Sequence, residues 1–119
     1  MRLNQEIRNR TKSFGSSVIR AYIELPKSRE EVAILGKQLL RSATSVASHT
    51  REASRARTDS EFCSKLDVLL QEADESQLWI EFLIEDCQIK DPKLKNIHRE
   101  AGEILAIFTT IVSKVRKSL

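Results

Sequence analysis

The chain has 119 residues, of which 31% are charged and 40% hydrophobic, and a formal net charge of +3. A chain of that length suits one domain and can bury roughly two-thirds of its unfolded surface, so a single domain over residues 1–119 is expected. Two cysteines are too few for a disulfide framework, and three glycines with two prolines disfavour a turn-rich β fold.

"MRLNQEIRNR" has no apolar run after its charges, so no secretory leader is expected. No segment approaches the ~18 continuous apolar residues of a membrane span. Cys63 and Cys87 read as reduced thiols of a cytoplasmic protein.

The first helix is expected from about Asn4 to Glu24. Its apolar residues Ile7, Phe14, Val18, Tyr22 and Leu25 recur at helical spacing, and Pro26 stops it. The second helix is expected to start at Ser28, with Glu31 completing a capping box. Val32, Gly36, Leu39, Ala43, Val46, Thr50 and Ala53 then form a heptad seam, the mark of long helices packed side by side. Its opposite face carries Lys37, Arg41, Thr44, Ser48, Arg51 and Arg55.

Thr58 and Glu61 predict a second capping box, with Asp59 well placed at the positive end of the helix dipole. Phe62, Leu66, Leu69, Ala73, Ile80, Leu83 and Cys87 form the inward stripe of this third helix. "LWIEFLI" at 78–84 is apolar around too much of the circumference for one packing face. Leu78, Trp79 and Phe82 therefore need a further partner, and an oligomer interface is the expected one. In the fourth helix Asp91 caps, Pro92 takes the first position, and Ile97, Ala101, Ile104, Phe108, Ile111 and Val115 form the seam. Short connections between long helices imply an all-α, antiparallel up-down-up-down four-helix bundle.

Chemistry is scarce. The residues three before His49 and His98 are Val46 and Lys95, so the Glu-x-x-His pairs of a di-metal bundle are missing. Cysteines and histidines lack zinc spacing, and Gly36–Lys37 is no phosphate loop. The expectation is no enzyme, no metal or other cofactor, and no small-molecule substrate. Charge is unevenly distributed: residues 58–90 carry nine acids and two bases, whereas each flanking segment is net basic. Two readings stay open. Lys37, Arg41, Arg51 and Arg55, with Arg57 at the corner, form a basic face that suits the phosphates of RNA or DNA. Alternatively, the charges serve docking between subunits or partners.

The middle of the chain carries a resemblance. Arg41, Ser42, Thr44, Ser45, Glu52, Ala53, Phe62, Lys65, Leu66, Glu72, Ala73 and Trp79 match the pattern of proteins encoded in intervening sequences of bacterial 23S rRNA genes. Specific matches run over roughly residues 25–83, with His49 and Thr50 departing from the usual Asn and aliphatic. The resemblance implies a four-helix bundle, a ring-shaped homopentamer and association with nucleic acid. The accessory protein of diversity-generating retroelements is similar in architecture.

Overall fold

Three of the four helices begin where a short polar side chain takes a free backbone amide. In the computed structural model, which describes residues 2–119, Asn4 accepts from the Ile7 N–H and opens α1 (Gln5–Glu24). Thr58 accepts from the Glu61 N–H and opens α3 (Asp59–Glu85), and Asp91 accepts from the Lys93 N–H and opens α4 (Pro92–Lys117). Each such cap satisfies one orphan amide and contributes ~1 kcal/mol. The Glu61 carboxylate accepts from the Arg57 N–H, one residue before the cap amide that a capping box would use.

The second helix, α2 (Glu30–Ser54), starts differently from expectation. Arg29 is its N-cap, and no side chain caps it. The Arg29 N–H donates to the Pro26 carbonyl at 3.2 Å, and this turn takes Ser28 away from the capping position. Arg29 instead donates to Glu31 and to the Cys87 carbonyl, both at 2.9 Å, tying the start of α2 to the end of α3.

The α2 seam is buried at every position the spacing singles out. In α1 the long step between Ile7 and Phe14 is filled by buried Thr11, whose hydroxyl donates to the Arg8 carbonyl. In α3 the gap between Ala73 and Ile80 is filled by Ser76, which shares a 2.9 Å hydrogen bond with Ser42 in the core. Cys87 is buried but lies past the end of α3, beside Gln88 in the left-handed region (φ 59°). The α4 seam shifts: Ile97, Ala101, Ile104 and Phe108 are buried as expected, then Val112 takes the place of the half-buried Ile111 and Val115.

Each helix packs against the next in sequence and α4 returns to α1, while α1/α3 and α2/α4 stand diagonally. Pairs across each seam run in opposite directions. Gly15 faces Ala43 and Thr44, while Gly36 faces Tyr22 and Leu25. Ser42 meets Ser76, while Glu52 meets Lys65. Glu81 meets His98, while Asp67 meets Arg116. Glu24 meets Lys93, while Arg10 meets Glu100. The bundle is thus antiparallel throughout and measures 48 × 21 × 20 Å. The starts of α1 and α3 and the end of α2 share one tip. There the Arg2 N–H donates to the Ser54 carbonyl at 3.0 Å and its Nε to Ala56 O at 2.9 Å. Its guanidinium pairs with Asp59 and lies 5.5 Å from the centre of the Phe62 ring.

The two glycines of the α1–α2 seam differ in the room around them. A Cβ on Gly15 would meet backbone at an ordinary 3.9 Å, whereas one on Gly36 would lie 2.9 Å from Leu25 Cδ1 and 3.3 Å from the Tyr22 ring. Gly15→Ala is therefore expected to raise stability by ~0.8–1 kcal/mol through helix propensity. Gly36→Leu is expected to cost ~1–3 kcal/mol by overpacking. Urea denaturation of both variants checks this, and a Gly36→Leu protein as stable as the parent would refute the close approach.

Candidate nucleic-acid interface

Arg51 and Arg55 sit one turn apart on the outer face of the last two turns of α2, and Arg57 follows in the connection to α3. Helical spacing places side chains four residues apart on the same face. The antiparallel seams bring cations from both neighbouring helices to the same place. Arg8 and Lys12 of α1 and Lys65 of α3 join Arg51, Arg55 and Arg57 around an open concavity of ≈ 640 Å³. Ala47 and Ser48 form part of its lining, and Glu52 and Glu61 are its acids.

Six cations against two carboxylates leave the concavity strongly positive, and pairing removes little of that surplus. Glu52 holds Lys65 at 2.9 Å. This hydrogen bond keeps the Glu52 carboxyl below its usual range and lifts the Lys65 ammonium above its own. His49 Nδ1 lies 3.4 Å from the same carboxylate, outside hydrogen-bonding geometry. Arg8 donates to Gln5 and to the Asn4 carbonyl. Among the described residues, Lys12, Arg51, Arg55 and Arg57 make no ion pair within 4.0 Å.

Lys37 and Arg41 are exposed on the same side of α2 but outside this concavity. They precede Arg51 by 14 and 10 residues, hence by about 21 and about 15 Å along the axis. Arg41 meets Gln38 at 3.4 Å and draws down the proton affinity of Glu72 on α3. Sequence reasoning missed Arg8, Lys12 and Lys65. Their signal lies in register: with Gly15 opposite Ala43 and Thr44, antiparallel pairing sets residues 8–12 beside 47–51.

Leu78, Trp79 and Phe82 occupy another part of the surface. Leu78 is 41% and Phe82 38% exposed, and Trp79 is half-buried with its ring 6.3 Å from that of Phe82. Trp79 Nε1 and Glu72 Oε2 are buried without a hydrogen-bond partner. Burial, and then the neighbouring Glu75, hold the Glu72 carboxyl above its usual range. Among the described residues no three His, Cys, Asp or Glu side chains are placed to hold a metal ion, and no helix is long and apolar enough to cross a membrane.

The profile of a family described as 23S rRNA-intervening sequence protein matches residues 4–110. A crystal structure of a protein with unknown function from the S23 ribosomal protein family of Bacteroides thetaiotaomicron superposes with a TM-score of 0.80 at 27% sequence identity. The match covers 89% of this chain and 97% of that one. No curated protein matches the chain.

The Glu72 environment carries a pH test. A carboxyl whose proton affinity rises on folding adds stability that is fully present below its unfolded pKa, about 4.3, and is lost as pH rises through the folded value. Glu72→Gln is neutral at every pH. It is therefore expected to melt a few degrees above the parent at pH 7, with the gap closing near pH 4. Thermal melts followed by circular dichroism at both pH values decide it, and an unchanged melting point at pH 7 would count against the burial argument.

Proposed function

The chain belongs to the 23S rRNA-intervening sequence protein family, and on that premise we propose that it is a non-enzymatic, self-associating helical bundle that binds RNA or DNA by its phosphate backbone. Four cations without ion pairs, Lys12, Arg51, Arg55 and Arg57, converge on one concavity from two helices and a turn. That convergence carries the reading. The negative end of the α2 dipole accounts for Arg51 and Arg55 in part but not for Lys12 or Arg57, whereas each phosphate contact releases counterions and adds salt-sensitive affinity. Lys37 and Arg41 extend the same side of α2 and add weaker, longer-range attraction. Buried, unpaired Cys63 and Cys87 suit a reducing cytoplasm.

Self-association is assigned to the surface bearing Leu78, Trp79 and Phe82, with a ring-shaped homopentamer as the assembly the family resemblance implies. Its support is apolar exposure beside two buried polar atoms that lack partners within the chain. Burying an aromatic pair of this kind is a typical anchor of a subunit contact.

Filter binding against 23S rRNA fragments at 50 and 200 mM salt tests the first part. Reversal of Arg51, Arg55 and Arg57 to Glu is expected to weaken retention at least ~100-fold at the lower salt and to flatten the salt dependence by about three phosphate contacts. Retention equal to the parent would sink the nucleic-acid reading. If the reversals change only the sedimentation coefficient, the charges serve subunit docking instead. Trp79→Ser combined with Phe82→Ser is expected to shift sedimentation at micromolar concentration to the monomer. A parent protein that already sediments as a monomer would reject the self-association.

A further inference from the structure

We infer that the concavity is built for double-stranded nucleic acid, gripping the phosphates of one strand of a duplex. This rests on the nucleic-acid reading above and narrows its ligand class.

The first observation is what the lining lacks. Every residue around the concavity is Arg, Lys, Glu, Ser or Ala. The six aromatic residues lie elsewhere. Phe14, Phe62 and Phe108 are buried in the core, Tyr22 and Trp79 are half-buried, and Phe82 is exposed on α3, away from the concavity. Proteins that bind single strands gain ~1–3 kcal/mol per base from aromatic platforms. This concavity offers none, so a single strand would keep its bases in water and forfeit that gain. A duplex has already stacked its bases, so binding it by the phosphates forfeits no such gain.

The second observation is the spacing of charge. Arg8 and Lys12, and Arg51 and Arg55, are each one turn apart, about 6 Å along their helices. Phosphates of one duplex strand rise ~3.4 Å per step along the duplex axis, so a pair of cations aligned with that axis matches about two steps. The axes of packed helices lie ~8–10 Å apart, so the pairs form two short rails. Between them Ala47 and Ser48 have side chains too short to hold a strand away from the surface.

The test uses the full-length chain and fluorescence anisotropy over a salt series. Its probes are a 20-base-pair DNA duplex, an RNA duplex of the same length, and an unstructured single strand of 20 nucleotides. Either duplex, or both, is expected to bind about tenfold or more tighter than the single strand. Arg51→Gln with Arg55→Gln, its folding checked by circular dichroism, is expected to reduce the log–log salt slope on duplex by about 1.8, two contacts at ~0.9 each. A single strand bound as tightly as either duplex overturns this inference and leaves the nucleic-acid reading standing. Failure to bind any of the three overturns both.

Discussion

The close approach of α1 to α2 is the constraint on which the rest of the molecule depends. Gly36 leaves no room for even a methyl group between Leu25 and Tyr22, and Gly15 lies against the backbone of Ala43 and Thr44. A side chain at Gly36 would press on Leu25 and the Tyr22 ring, which disfavours a slip of the seam, whereas Gly15 has room for a methyl group. Packed interiors do not absorb such volume without strain. The same register sets Arg8 and Lys12 beside Ala47 and Arg51. The basic concavity is therefore a consequence of core packing some distance from it.

At the tip two helix ends with opposite dipoles meet. The carboxyl end of α2 favours cations, which gives Arg51 and Arg55 a structural reason for their place. The amino end of α3 favours anions, and Asp59 and Glu61 stand there as that rule requires. Arg57 sits just before that amino end, where the dipole opposes it. It has no ion pair to offset the cost, although its amide is held by Glu61. Arg2 performs the capping that the tip needs, through the Ser54 and Ala56 carbonyls. The positive surplus at the corner thus exceeds what fold stability asks for, and Arg57 is the residue that marks the excess.

Much of this was legible in the sequence because it depends on local rules. The α2 seam follows from a strict heptad spacing, and Asn4, Thr58 and Asp91 cap as short polar side chains do. What was not legible involves long-range contacts. The Ser28–Glu31 spacing satisfied the capping pattern, but Arg29 is drawn to the Cys87 carbonyl, 58 residues away, and the turn at Pro26 displaces Ser28. Ile111 and Val112 flank the buried stripe of α4 on either side, and spacing alone does not choose which of them is buried. Arg8, Lys12 and Lys65 carry no motif; only the pairing of antiparallel helices makes them neighbours of Arg51. The arginines at 51, 55 and 57 were visible as a cluster, whereas the concavity they line was not.

The charge imbalance along the chain resolves into two uses. Three of the eight acids of α3 hold the bundle together: Asp59 takes Arg2, Asp67 takes Arg116, and Glu81 shares a hydrogen bond with the His98 ring. Exposed pairs of this sort add little stability each, but they neutralise the cations they hold. Glu72 and Glu75 stand apart from this pattern: burial, and then the charge of Glu75, hold the Glu72 carboxyl above its usual range. The outer face of α2 has no comparable supply of acids: Glu52 is committed to Lys65, and Glu61 to the start of α3. Its arginines are therefore left facing solvent in a fixed array, because the acids able to quench them are spent on the contacts that build the corner.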